Sequence, residues 1–428
     1  MSFLMRRAGA PVVALLLLAS AACAVHREPA LPATTADAAG LSQPALDQLS
    51  AALQEFVDSG KVSGIYAVIA RNGHIAYERT FGTRDLATRD PLERDDIFRI
   101  YSMTKPVVAA GVLRLVEQGL LTLDDPVAKY IPSFANVKVF DGGTADAPVL
   151  RAPASPVTIR QLLNHTSGLA YGLTASPVDT IYLRAQLYDA QRRLDEFTDS
   201  LAAIPLHFDP GTRWSYSAGL DVAGRVIEVA SGKMLDVFLD EEIFAPLGMR
   251  DTGFHIRPGT RGRLATVYEP TSDGRVEPLA GDRLLAMFEP DARFLWGSGG
   301  LLSTPDDFLR FAQMLLNGGT FGVRILQPES VTLMTHNTLS AALTPVSYPT
   351  LRDPSYGFGL GVAVKVDATD AAPNVPAGVY RWSGYLGTYF WVDPANDLVA
   401  MVWTQLSPGG RYPLQAVFQE HVYSALVR

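Results

Sequence analysis

The chain has 428 residues, 48% of them hydrophobic, which is enough to bury a large core. Its formal net charge is -8, and acidic and basic residues are interspersed, so no polybasic surface forms and nucleic-acid binding is excluded. No two of the seven histidines (26, 74, 165, 207, 255, 336 and 421) share the short spacing of a metal-binding pair, so neither a metal nor another cofactor is implied.

In chain order, the N-terminus reads as an export signal over residues 1–23. Arg6 and Arg7 form a positive n-region, Val12 to Leu18 an apolar stretch too short to span a bilayer, and small residues run from Ala19 to Ala24. The protein is therefore expected outside the cytoplasm, periplasmic or held at the membrane by a lipid on Cys23, the only cysteine. Ser20 stands where lipoprotein signals usually carry leucine, and the alternative is cleavage near Ala21 or Ala24 that discards Cys23. With no second cysteine, the mature fold has no disulfide. Residues 24–41, rich in Ala, Pro and Thr without apolar periodicity, are expected to be a disordered tether, followed by one folded domain over residues 42–428.

Ser42 can cap a helix with Pro44 in its first turn and Leu46, Leu49, Leu53, Phe56 and Val57 on one face. Ile65 to Ala70, the Asn72-Gly73 turn and Ile75 to Phe81 then predict a β-hairpin. Strand signals return at Phe358 to Val366, Val379 to Ser383, Thr388 to Val392 and Leu398 to Thr404, and Pro413 to Leu426 predicts a closing helix. Helical patterns and long loops dominate between. The fold class expected is α/β (α+β): one antiparallel sheet built from both chain ends, flanked by helices, with a mainly helical region inserted.

Chemistry concentrates in three segments. Ser102-Met103-Thr104-Lys105 opens an apolar helical stretch, Val107 to Val116, that stops at Gly119. Residues three apart share a helix face, roughly 5–6 Å between Cβ atoms, so the lysine amine can reach the serine hydroxyl. Burial and the helix dipole both disfavour an ammonium there and would make Lys105 a base, which a serine needs in order to attack at neutral pH. The bland alternative is a capping serine beside a solvated lysine. Tyr216, in the loop before another apolar helix, can shuttle protons if held near an ammonium, or can simply pack beneath Trp214. Tyr380 to Trp391 reads as two strands joined by a glycine turn, where a glycine admits close approach and a backbone N–H can stabilise an oxyanion; the alternative is an aromatic core hairpin.

These segments, with Thr158 to Leu169 and Gly297 to Leu301 between them, resemble the serine β-lactamase and penicillin-binding superfamily, and more narrowly the family VIII carboxylesterases. The resemblance covers roughly residues 42 to 425 and implies a β-lactamase/DD-peptidase-like fold. It implies Ser102 as nucleophile, Lys105 and Tyr216 as the base system, and the backbone N–H groups of Ser102 and Tyr385 as oxyanion hole. Trp382, Ser383 and Gly384 fall at the substrate-binding strand. Two departures bear on substrate. Ala218 stands where class C β-lactamases carry asparagine, and Trp382 stands where they carry the lysine of Lys-Thr-Gly. Without that cation a carboxylated substrate loses a charge-assisted contact of about 1.5–3 kcal/mol, whereas neutral esters gain an apolar surface.

The expected activity is hydrolysis of small, short-chain carboxylic esters through an acyl-enzyme on Ser102. The partner is then a small-molecule ester, and any membrane contact is confined to the lipid at Cys23. The competing readings are a β-lactamase or D-amino-acid peptidase, and a non-catalytic penicillin-binding-like sensor. An α/β-hydrolase esterase is disfavoured because no Gly-x-Ser-x-Gly occurs.

Overall fold

The structure is a computed structural model that describes residues 30–279, 281, 283–346, 355–367 and 375–427. The export signal, Cys23 and the first part of the tether, residues 24–29, lie outside the described residues.

Helix α1, Gln43–Asp58, forms where the apolar spacing predicts it and buries Leu46, Leu49, Leu53 and Phe56. Ser42 occupies its N-cap, but the hydroxyl makes no capping bond; the Ser42 N–H is tied instead to the Ala425 carbonyl at 2.8 Å. Strands β1, Gly64–Arg71, and β2, His74–Asp85, are joined through Asn72 and Gly73 at φ 53° and 73°, the pair of left-handed residues that a two-residue hairpin turn requires. The short strand β3, Asp90–Pro91, continues the sheet. After a long insertion come β4, Tyr356–Phe358; β5, Ala363–Lys365; β6, Tyr380–Ser383; β7, Thr388–Asp393; and β8, Leu398–Trp403. The closing helix, here α5, spans Leu414–Ala425.

These strands make one eight-stranded sheet in the order β4-β5-β6-β7-β8-β1-β2-β3, antiparallel throughout. The two chain ends meet at its centre, where Tyr66 opposes Trp403 and Arg71 opposes Leu398. Because strand side chains alternate, β1 sends Tyr66, Val68 and Ala70 to one core and Ile65, Ala67 and Ile69 to the other. Both faces are covered, which is why β1 and β8 read as unbroken apolar runs. The second core is closed by α1 and α5; the first lies under the inserted region, chiefly helices α2, Thr104–Glu117, α3, Gly219–Ser231, and α4, Pro305–Leu316.

Two expectations need correction. Residues 30–41, read as disordered, pack against the domain: Leu31, Ala36, Ala39 and Leu41 are buried. Pro32 and Thr34 exchange backbone bonds with Ile75 at 2.8 and 2.9 Å, and Leu41 bridges to Leu426. Strand β3 pairs only with Thr83 and Asp85, so the start of β2 is an exposed edge that this segment covers, a tertiary reason that apolar periodicity cannot carry. The single strand expected over Phe358 to Val366 is two, broken by a turn at Gly359–Val362 that packs on α2. A Cβ at Gly361, φ 79°, would stand 3.0 Å from the Lys105 carbonyl. The residues on both sides of that turn are buried, so apolarity runs through it unmarked. Among the described residues, the mainly helical inserted region also holds four small two-stranded ribbons, one of them Val139–Gly143 with Pro148–Arg151.

Candidate active site

Ser102 is the middle residue of a 3-10 turn, Tyr101–Met103, that runs directly into α2. Tyr101 takes a left-handed φ of 41°, a conformation that costs a non-glycine residue about 1–3 kcal/mol. Ring contacts of its buried side chain with Trp296 at 5.4 Å, Phe288 at 5.7 Å and Tyr385 at 6.0 Å offset that strain and fix the turn. Lys105 follows on the first turn of α2, its side chain wholly buried, and its Nζ donates to Ser102 Oγ at 3.2 Å and to the Ser298 carbonyl at 2.8 Å. Burial pulls the Lys105 ammonium down to about 7, with the Asp221 carboxylate opposing the shift.

Tyr216 arrives from the loop before α3 and donates its phenol proton to Ser102 Oγ at 2.8 Å. The Lys105 ammonium sits 4.5 Å from the Tyr216 ring centre and 5.3 Å from that of Tyr171. His165 holds the Tyr216 loop from both sides. Its carbonyl accepts the Ser215 N–H at 2.9 Å and its Nδ1 accepts the Ser217 N–H at 3.3 Å, while the ring lies 4.7 Å from Tyr216. An accepting Nδ1 puts the proton of the neutral ring on Nε2. Burial and the nearby Lys105 charge hold the imidazole well below its ordinary pKa, so it is a neutral brace. The amino-acid pattern of Thr158 to Leu169 carries a resemblance but no role of its own; this latch is the role the geometry assigns.

Behind the lysine lies a group that sequence reasoning missed. Asp221, in the first turn of α3 and fully buried, accepts the Ser298 N–H on Oδ1 and the Ser298 hydroxyl on Oδ2, both at 2.8 Å, and the Tyr188 phenol at 3.1 Å. Burial raises its carboxyl above the usual range, and Lys105 and the Ser298 bonds pull it back. An aspartate in a helix's first turn is already explained by the dipole, so nothing local marks it.

The third segment packs against the phenol and the serine turn. Trp382 is 2% exposed, wedged 5.5 Å from the Tyr216 ring and 5.3 Å from Phe358, so it forms an apolar wall behind the phenol. Gly384 is expected to admit substrate. A Cβ there would meet the Ile100 carbonyl at 2.4 Å and Thr388 Oγ1 at 2.3 Å, so its lack of a side chain lets the strand end abut the serine turn. That contact brings the half-exposed Tyr385, in the Gly384–Gly387 turn, beside Tyr101. Ser383 is partly buried and makes no hydrogen bond to Ser102, Lys105 or Tyr216. Arg381 leaves for the opposite face, as strand alternation predicts, where its guanidinium lies 4.2 Å from the Tyr356 ring centre and donates to the Tyr389 hydroxyl at 2.8 Å. Among the described residues, no group of three or more His, Cys, Asp or Glu is placed to hold a metal ion.

A sheet built from both chain ends, with the Ser102 turn leading into the inserted helices, defines the β-lactamase and penicillin-binding class of fold. Within it, the chain belongs to the Beta-lactamase family, whose model matches residues 49–422. Protein Rv1367c of Mycobacterium tuberculosis is 35% identical over 371 residues, 85% of this chain and 90% of the relative. Esterase EstB of Burkholderia gladioli is 33% identical over 411 residues, 91% of this chain and 96% of the relative. Among solved structures, EstCE1, described as a hydrolase with promiscuous acyltransferase activity, matches with a TM-score of 0.77 at 28% identity, covering 89% of this chain and 99% of its own. The chain is a serine hydrolase of this family, with esterases and acyltransferases among its relatives.

Proposed function

We propose that the protein hydrolyses small, neutral carboxylic esters through an acyl-enzyme on Ser102. The observation that carries this reading is the convergence of Lys105 Nζ and Tyr216 Oη on one serine oxygen, at 3.2 and 2.8 Å, with the amine fully buried. Deprotonated Lys105, or the phenolate of Tyr216 beside it, takes the Ser102 proton as Oγ attacks the ester carbonyl; the same proton then goes to the leaving alkoxide. Backbone N–H groups of Ser102 and Tyr385 stabilise the oxyanion. Water, activated by the same base, releases the acid.

The preference for neutral esters rests on Trp382. At the position where β-lactam-cleaving members carry a cation stands this buried, uncharged ring, so that position offers no cation to a substrate carboxylate, and EstB is named an esterase. Acyl transfer to an alcohol is the second reading, favoured by the promiscuous acyltransferase activity ascribed to EstCE1; it uses the same acyl-enzyme with an alcohol in place of water. The test is turnover of p-nitrophenyl butyrate by the wild type and a Ser102→Ala variant, beside a chromogenic cephalosporin and with an added alcohol acceptor. Ester cleavage that disappears in the variant supports the proposal. Dominant cephalosporin turnover would sink the ester preference, and a butyrate ester of the acceptor formed faster than free acid would favour transfer.

A further inference from the structure

The segment Gly297 to Gly300 is built to be held. A Cβ on Gly297 would stand 2.5 Å from the Leu220 carbonyl, and Cβ atoms on Gly299 and Gly300 would meet Trp296 at 2.8 and 2.9 Å. Gly297 lets the backbone press against the first turn of α3, where Asp221 grips Ser298 through both its N–H and its hydroxyl, and Gly299 and Gly300 let it turn closely over Trp296. Trp296 Nε1 also donates to Ser298 Oγ at 2.8 Å, and the Tyr171 hydroxyl stands 3.1 Å from the same oxygen. The Ser298 carbonyl is thereby fixed, and it is this carbonyl that accepts the Lys105 ammonium. The titratable groups around that ammonium are Tyr171 and Tyr216, whose rings face it, His165, held neutral, and Asp221 with its partner Tyr188. Asp221 is the counter-charge among them.

We propose that Asp221 is a positioning residue for the catalytic lysine: through Ser298 it fixes where the Lys105 amine points, and its negative charge decides how firmly that amine holds its proton. This rests on the reading of Lys105 as part of the base system, and it deepens that reading. No bond is made or broken at Asp221. Its charge favours the ammonium over the free amine, so it delays release of the base while keeping the amine aimed at Ser102.

The test is the pH profile of kcat/KM for p-nitrophenyl butyrate in wild type, Asp221→Asn, Tyr188→Phe and Ser102→Ala. Asparagine keeps an acceptor for the Ser298 N–H and removes the charge. Its acid limb is expected to move to lower pH by about one unit, with kcat reduced by about ten- to a hundredfold and KM changed little, by analogy with the loss of other supporting partners. Tyr188→Phe takes one donor from the carboxylate, makes it easier to protonate, and should move the limb the same way by less; it decides the matter if Asp221→Asn does not fold. An acid limb that stays in place in the folded Asp221→Asn variant, or in Tyr188→Phe when the first is unfolded, overturns the proposal. Ser102→Ala separates the two levels. If it is inactive while the limb does not move, only the role of Asp221 fails; if it keeps wild-type turnover, the assignment of the site itself fails.

Discussion

Both faces of the central sheet carry a buried apolar core, and the front one also encloses the polar groups around Ser102. Behind it, α1 and α5 lay Leu46, Leu49, Leu53, Phe418 and Val422 on Ile65, Ala67, Trp391 and Val402, with Trp391 and Phe418 in edge contact at 5.4 Å. In front, buried Lys105, Ser298 and Asp221 are linked in a row by hydrogen bonds, while buried His165 accepts the Ser217 N–H and buried Thr104 accepts the Leu301 N–H. Apolar burial stabilises by roughly 25 cal/mol per Å² and is indifferent to direction, whereas buried ionisable groups oppose folding unless each is paired. Apolar burial on both faces therefore supplies stability, which allows the front to hold a lysine whose charged form is disfavoured. A change behind should alter the melting temperature and spare the chemistry; a change at the polar centre in front should do the reverse.

The largest effect expected from that contrast is in Ser102→Ala, which should lower ester turnover by at least about a thousandfold and leave the thermal midpoint near that of the wild type. Comparable turnover in the variant would break the contrast at its front. Next, Leu53→Ala on the back face should cost about 2–5 kcal/mol in denaturant unfolding, because a fully buried leucine leaves a cavity. Its kcat/KM per folded molecule should be unchanged, and an altered acid limb would show the faces to be coupled. The pH dependence comes third. Burial lowers Lys105, and if its free amine is the base, as proposed, activity should be full above its pKa. As pH falls through about 7 the amine is protonated, and kcat/KM should drop about tenfold per unit below; a flat acid limb would contradict the assignment. The smallest effect sharpens the comparison within the front face. Thr304 caps α4 by accepting the Asp307 N–H, and α4 packs Phe308 on Phe390 and Trp403 without touching the lysine network. Thr304→Ala should cost about 1 kcal/mol with the pH profile in place.

The same contrast explains how much can be read from the amino acids alone. The back face is legible almost residue by residue: α1 follows from the spacing of Leu46, Leu49 and Leu53, and the β1–β2 hairpin from Asn72-Gly73, because both are local patterns. In the candidate site, Ser102 and Lys105 are legible because their partnership lies within one helical turn. Tyr216 is legible only as one member of a resemblance; its tripeptide recurs at Tyr423-Ser424-Ala425, inside α5, where the phenol donates to Asp393 instead. Gly384 stands out in the sequence, but its contact with the distant Ile100 carbonyl is legible only in the tertiary structure.

By itself, then, the amino-acid sequence determined the elements with local periodicity, the sheet shared by the two chain ends, and the serine–lysine pair. Three things were decided by the tertiary structure: the packing of residues 30–41 along the edge of β2, the latch of His165 on the Tyr216 loop, and the grip of Asp221 on Ser298 behind the lysine. Each joins residues tens of positions apart through hydrogen bonds whose donors and acceptors every chain has in abundance. Periodicity records which face of an element is buried; which polar partner waits there is settled only when the elements meet.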